Sequence, residues 1–312
     1  MIQIASIGVM WAALIALPWW LPLIGGYTAL GTKVLIYGIA TMGLNLLIGF
    51  TGGLSFGQAA YFGLGAYGAG MTLKYLAPST PLAILIGTLV GGLGATVFGP
   101  LVMRRRGIYF AMITIAIGQL LYFVAVRWNN VTGGEDGLAG FHRQDLHLGH
   151  LLIPLTEINY YYLVLFCFTV AVAVMWCLLR SPLGHAWVAI RENRQRAKFM
   201  GIHVERYVWA AFAISGFVTA FAGALNALLF NFTSPQDLHW ILSGNFVIMI
   251  VLGGMHKFFG PLLGALIFIV AQDYLSSVTG NWMTFIGLIF VAIVLLFPNG
   301  LLGMISRRTR LA

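Results

Sequence analysis

Long uninterrupted apolar runs recur along this chain; TFIGLIFVAIVLLF at 284–297 is one of them. Runs of that length without a charge restrict the possible folds more than any other feature. Inside a bilayer no water is available to backbone N–H and C=O groups, so spanning segments are helices or strands of a closed barrel. Barrel strands alternate apolar and polar residues over about ten positions, and these runs do not alternate. The expected fold is therefore all-α: a polytopic transmembrane helical bundle. Composition points the same way. The chain is 60% hydrophobic and 8% charged, whereas soluble domains carry about 25% charged residues. In water, 312 residues with so few charges could not cover their own surface.

A spanning helix needs about 20 mostly apolar residues. On that measure about ten spans are expected, at about 5–23, 33–50, 55–75, 82–102, 108–127, 160–179, 208–230, 241–256, 261–279 and 283–298. The third and the eighth are the weakest and admit a broken or re-entrant path. The first run lacks a basic leader and an A-x-A site, and ends in Pro18, Trp19, Trp20 and Pro22. It reads as a retained helix with an interfacial anchor. No stretch is long and polar enough for a separate soluble domain, so 1–312 reads as one transmembrane domain.

Basic residues collect at three places: Arg104–Arg106, the stretch from Arg180 to Arg206, and Arg307, Arg308 and Arg310 in the tail. The positive-inside rule puts all three in the cytoplasm. The connection at about 128–158 holds Arg143 against Glu135, Asp136, Asp145 and Glu157, and is expected outside. Counting crossings from these anchors puts both termini in the cytoplasm. The same clustering at helix ends accounts for the net charge of +9, and nucleic acid is not an expected partner.

The chain holds no H-E-x-x-H motif, and its histidines are scattered. No catalytic residue and no metal site is expected. Cys167 and Cys177 lie nearly three turns apart in one span and read as packing residues. Asp273, beside Gln272, is the carboxylate set well inside an expected span; it faces interfacial water or binds a driving ion. Asn45, Gln58, Gln119, Asn226 and Asn245 are neutral polar residues within spans. Each either hydrogen-bonds a neighbouring helix or lines a pathway, and Asn45, Gln58, Gln119 and Asn245 are the pathway candidates. Many of the 39 glycines fall within spans, as close helix packing or sliding helices require. A short echo between Gly52–Gly57 and Gly253–Gly260 hints at an internal repeat.

The connection RSPLGHAWVAIRENRQRAKFMGIHVERY at 180–207 is the one long cytoplasmic segment. Ser181 suits a helix cap, Pro182 the first turn and Gly201 the end. On a continuous helix Ala186, Ala189, Ile190, Asn193, Ala197 and Met200 share a small, mostly apolar face, with Arg191, Arg194 and Lys198 on another. Such a helix lies in a groove of a partner protein or rests on anionic head groups.

Several spaced motifs resemble the permeases of branched-chain amino acid ABC importers, and the M-type permease among them. They are MGLNLLIGFTGGLSFGQAAYFGLGAYGAG at 42–70, TGGEDGLAG at 132–140 and GHAWVAIRENRQRAKFMGIHVERYVWAAFAISG at 184–216. TSPQ at 233–236, MIVLGGMHKFFGPLLGA at 249–265 and FPNGLLG at 297–303 follow in the same order. The resemblance covers about 35–303, with one departure: His185 and Trp187 stand where a plainer basic and aliphatic stretch is usual. It implies a single permease domain beside a second, related permease subunit in the bilayer. Two cytoplasmic ATPase subunits would sit below, and a periplasmic or lipid-anchored solute-binding protein would deliver cargo. It implies that Ala189, Arg191, Glu192, Asn193, Ala197, Met200 and Gly201 couple the chain to the ATPases. The chain has no Walker A motif, so ATP and Mg would belong to the partners, with no cofactor bound here. Glu135 and Asp136 are candidates for docking the binding protein. The implied setting is a bacterial inner membrane and the implied cargo a branched-chain amino acid. An ion-coupled secondary carrier of small amino acids or amides is the competing class.

Overall fold

The computed structural model describes residues 11–21, 25–148, 151–296 and 300. The start of the first expected span and the basic tail lie outside them. Eleven helices carry the described fold: α1 (Thr28–Asn45), α2 (Gln58–Met71), α3 (Thr80–Val102), α4 (Ile108–Arg127), α5 (Glu157–Arg180), α6 (Pro182–Glu192), α7 (Arg194–Phe199), α8 (Val204–Phe230), α9 (Trp240–Gly253), α10 (Gly260–Val278) and α11 (Trp282–Leu296). Among the described residues six are long and apolar enough to cross a membrane: α1 with its extension to Thr51, α3, α4, α5, α8 and α10. The chain is thus an all-α, multi-pass membrane protein. One short departure is an antiparallel ribbon in the 128–158 connection, β1 (Leu146–Leu148) paired with β2 (Leu151–Ile153).

Hydrogen bonds sort the helix ends into two groups. At one end, hereafter the basic end, Arg191 and His256 meet the Gly49 carbonyl. At the other, Lys74 donates to the Ala139 carbonyl at 2.9 Å, the Arg143 N–H donates to Asn231 Oδ1 at 2.8 Å, and Tyr27 donates to Asp273 Oδ1 at 2.7 Å. Asp273 is therefore a half-buried acceptor near that end. Helix directions follow. α1 runs toward the basic end and α8 runs away from it.

Both long helices are followed by a segment that turns back into the bundle. After α1 the chain passes a wide π turn (Leu46–Thr51), reverses at Gly52 (φ 78°) and re-enters through Gly53–Gly57 before α2 begins. After α8 it re-enters from the opposite end through a 3-10 turn, Pro235–Leu238, before α9 begins. The two starts meet inside the molecule, where the Ala59 N–H donates to Ser243 Oγ at 2.8 Å. A helix start away from water leaves orphan N–H groups. Ser243 takes one, and Thr114 Oγ1 of α4 takes the Phe56 N–H at 3.1 Å. The weak third and eighth expected spans are thus short helices with interior starts, 14 residues each.

α1–α4 and α8–α11 therefore repeat one pattern in opposite orientation: long helix, re-entrant segment, short helix, two further helices. α2 and α3 pack on α8, while α9 and α10 pack on α1. The structure corrects the echo read from sequence. Gly253–Gly260 forms the turn between α9 and α10, whereas the counterpart of Gly52–Gly57 is the segment at 231–239. Inverted repeats of this kind are common in transporters.

Packing is most extensive where α2, α3 and α8 meet. Lipid tails are as apolar as leucine, so helices gain little by hiding apolar surface from them and associate through close contact. Gly65 of α2 lies against the Ala220 carbonyl of α8, and Gly223 of α8 against the Phe62 carbonyl. Tyr37, Phe62 and Phe246 stack edge-on at 5.6–5.8 Å and join α1, α2 and α9.

Candidate coupling site

The basic stretch after α5 does not form one continuous helix. It breaks at Asn193, whose backbone is extended (φ −157°, ψ 103°), into α6 and α7. The Asn193 side chain caps α7 by accepting from the Arg196 N–H at 2.9 Å. Asparagine is among the best N-caps, so the local chemistry favours a new start there. Pro182 opens α6 as expected. The Ser181 hydroxyl donates back to the Leu178 carbonyl at 2.6 Å instead of capping α6. Gly201, at φ 84°, closes the unit.

The small-residue face turns inward. Ala186, Ile190 and Ala197 are buried against the chain's own core, and Ala189 is half-buried. Trp187 is fully buried and donates to the Tyr207 carbonyl at 2.9 Å. Trp187, one of the two residues that depart from the expected pattern, is thus an internal bolt, tying α6 to the start of α8. This face is not available to a partner's groove.

Arg191 is the second bolt. Its guanidinium donates to the Gly49 carbonyl and lies 3.1 Å from His256 Nδ1. A cation at the last carbonyls of α1 opposes the negative end of the helix dipole. Gly52 packs on the Arg191 stem, where an added Cβ would approach Cγ at 3.0 Å. One side chain thereby links α6, the end of α1 and the α9–α10 turn.

The outward surface carries Glu192, Asn193, Arg196, Lys198, Met200 and Gly201. Phe199 is the residue that sequence reasoning missed; it is 83% exposed, beside Met200 at 72%. The one available signal was an aromatic residue out of phase with the buried positions of a basic segment.

At the opposite end, Glu135 and Asp136 are exposed on a 3-10 turn, Gly134–Asp136. Gly133, Gly134, Gly137 and Gly140 all have positive φ. The Leu138 and Thr233 backbones exchange hydrogen bonds at 2.7 and 3.1 Å, fastening this turn to the segment after α8. Asp145 is exposed and accepts from the Leu155 N–H at 2.8 Å.

The four pathway candidates separate into two pairs. Asn45 and Gln58 are enclosed among helices: Asn45 Nδ2 points to the Lys257 carbonyl at 3.4 Å, and Gln58 Oε1 accepts from Thr219 at 3.2 Å. Gln119 of α4 and Asn245 of α9 are half-exposed. Asn226 is buried, with Oδ1 unpartnered. Cys167 and Cys177 are both free, and among the described residues no His, Cys, Asp or Glu cluster is placed to hold a metal.

Residues 26–296 match the family described as the permease component of branched-chain amino acid transport systems. The chain is 27% identical to the high-affinity branched-chain amino acid transport permease LivM of Salmonella typhimurium, over 95% of this chain and 75% of that protein. It is 26% identical to the probable branched-chain permease LivH of Methanocaldococcus jannaschii, over 88% and 93%. It is 24% identical to the ribose import permease RbsC of Haemophilus influenzae, over 60% and 57%. No solved structure matches it.

Proposed function

The chain belongs to the family of permease components of branched-chain amino acid transport systems, and from that membership we propose that it is the membrane-spanning subunit of an ATP-binding-cassette importer. The cargo is a branched-chain amino acid. The whole chain, 1–312, works as one permease domain with about ten crossings and both termini in the cytoplasm of a bacterial inner membrane. Its partners are a second related permease, two cytoplasmic ATPase subunits that hold the ATP and Mg, and a periplasmic or lipid-anchored binding protein.

The observation that carries this reading is the two-sided build of the α6–α7 unit. Its inner side is bolted to the bundle by Trp187 and Arg191, and its outer side offers an apolar tip, Phe199 and Met200, ringed by charge. Exposed apolar side chains amid charged residues mark protein docking surfaces. An ATPase holding that tip, with Glu192, Asn193 and Gly201 at the rim, moves the unit when nucleotide closes the pair. Ala189 and Ala197 pack the unit so that it moves as a body. Arg191 passes the displacement to α1 and to the α9–α10 turn, which belong to opposite halves of the inverted repeat.

Gln119 and Asn245 face the solute at the seam with the second permease, while Asn45 and Gln58 hold the re-entrant starts in place. Neutral side chains suffice for a zwitterion, whose two charges cancel. Glu135 and Asp136, on their rigid turn, dock the binding protein.

The test is uptake of labelled leucine into proteoliposomes holding the two permeases and the ATPases, with binding protein outside. Uptake is expected only with ATP inside. Uptake driven by an ion gradient alone would refute the importer reading. In the same assay, Glu135→Lys with Asp136→Lys is expected to weaken stimulation by the binding protein about tenfold, as two like-charge contacts at a docking rim imply. Unchanged stimulation would reject that docking role and leave the importer reading standing.

A further inference from the structure

At the basic end a cleft of about 250 Å³ opens between α6, the α3–α4 turn and the segment that re-enters after α1. Its walls include Gly52, Gly53, Arg106, Arg191, Asn193 and Arg194. Three guanidinium-bearing residues from two separate stretches of chain thus line one small space. Glu192 is the sole carboxylate among the lining residues.

The three arginines are not equivalent. Arg191 commits its guanidinium to the Gly49 carbonyl and His256. Arg194 is half-buried, and the charges acting on it are Arg106, which repels it, and Glu205, which attracts it. Burial and the neighbouring Arg106 both push the Arg194 guanidinium below its usual range. Holding like charges together in a partly desolvated cleft is unfavourable. Backbone geometry nonetheless maintains it: Gly52 (φ 78°) and Gly107 (φ 56°) turn the chain at two edges of the cleft. An anion between the guanidiniums would reverse the sign of the interaction. Arginine forks match phosphate oxygens in geometry and charge. The cleft also lies at the end of the bundle where helices stop, the level of lipid head groups.

We propose that this cleft is a binding site for a phosphate-bearing anion, clasped by Arg106 and Arg194. Bound there, the anion ties the α3–α4 turn to the break between α6 and α7 and stiffens the unit at its hinge. The phosphate comes from an anionic lipid head group or from a soluble ion.

The full complex, purified in detergent, is examined by native mass spectrometry with added phosphatidylglycerol or phosphatidylcholine. A separate arm titrates inorganic phosphate against thermal unfolding. Neither readout involves ATP or transport, so failure here is separable from failure of the importer reading. Wild type is expected to retain phosphatidylglycerol over phosphatidylcholine, or to be stabilised by millimolar phosphate; the first result assigns a lipid source and the second a soluble one. Arg106→Gln with Arg194→Gln is expected to weaken that binding at least tenfold, because each lost charge-assisted contact is worth about that factor. Arg104→Gln, on the same turn but outside the cleft, is expected to leave it unchanged. If the double variant does not assemble, Arg106→Lys alone serves, and loss of affinity there supports the site. Equal binding by wild type and the cleft variants, or equal loss in Arg104→Gln, would overturn the proposal.

Discussion

Replacing Gly223 with valine is expected to leave almost no folded protein in the membrane. A Cβ at this position falls on the Phe62 carbonyl oxygen of α2, a backbone atom with no rotamer to escape into. The neighbourhood offers no relief. Gly65 meets the Ala220 carbonyl of α8, Gly87 of α3 meets the Gly65 carbonyl, and Gly91 meets the Ala220 methyl. Three helices are locked backbone to backbone, so none can withdraw without breaking contact with the other two. Overpacking a core usually costs about 1–3 kcal/mol when side chains can adjust. Here the obstacle is backbone, and the cost should exceed about 3 kcal/mol, a large share of the stability of a typical fold. Size-exclusion chromatography of a detergent extract checks this by the yield of monodisperse protein. Gly244→Ala is the matched control, since nothing lies within 4 Å of its added Cβ. A normal yield of Gly223→Val would mean that α2 and α8 do not touch as described.

The second large effect concerns coupling and leaves the fold intact. Phe199→Ala removes a side chain that is 83% exposed in this chain, so it should not disturb packing or yield. If Phe199 is an anchor for the ATPase, truncation removes a central interface contact, worth about 2 kcal/mol or roughly thirtyfold in affinity. Solute-stimulated ATP hydrolysis by the assembled transporter is expected to fall by about that factor at limiting ATPase concentration and to recover as ATPase is added in excess. Unchanged hydrolysis across the titration would remove Phe199 from the interface. The contrast with Gly223→Val matters: one variant loses the protein and keeps the principle of coupling, the other does the reverse.

Much of this architecture was legible because bilayer physics is severe. Apolar runs marked the six long helices, since a run without the alternation of a barrel strand satisfies its backbone in lipid as a helix. The weakness of the third and eighth expected spans flagged the re-entrant segments. The inverted repeat was hidden, because its two re-entrant segments share a path and no residues. One turns on glycines, while the other turns on Pro235 within a Ser234–Asp237 capping box. The break at Asn193 was readable from its capping chemistry, yet the apolar spacing continued through it and suggested one helix. Exposure was the least legible property. Asn45 and Gln58 resemble Gln119 and Asn245 as letters, and only tertiary packing separates an enclosed amide from one on a surface. Trp187 looked anomalous for the same reason: its role depends on the Tyr207 carbonyl, twenty residues away in sequence.

The central claim is that the α6–α7 unit is a lever gripped from below by a separate nucleotide-hydrolysing subunit. Cysteine crosslinking from its exposed tip is the most direct measurement. With Phe199→Cys in a background where Cys167 and Cys177 are replaced by serine, a short bifunctional reagent is expected to join this chain to the ATPase in intact complexes, at a rate that changes when ATP is bound. An absence of any such adduct, together with labelling of that cysteine solely by impermeant reagents applied outside the cell membrane, would contradict it.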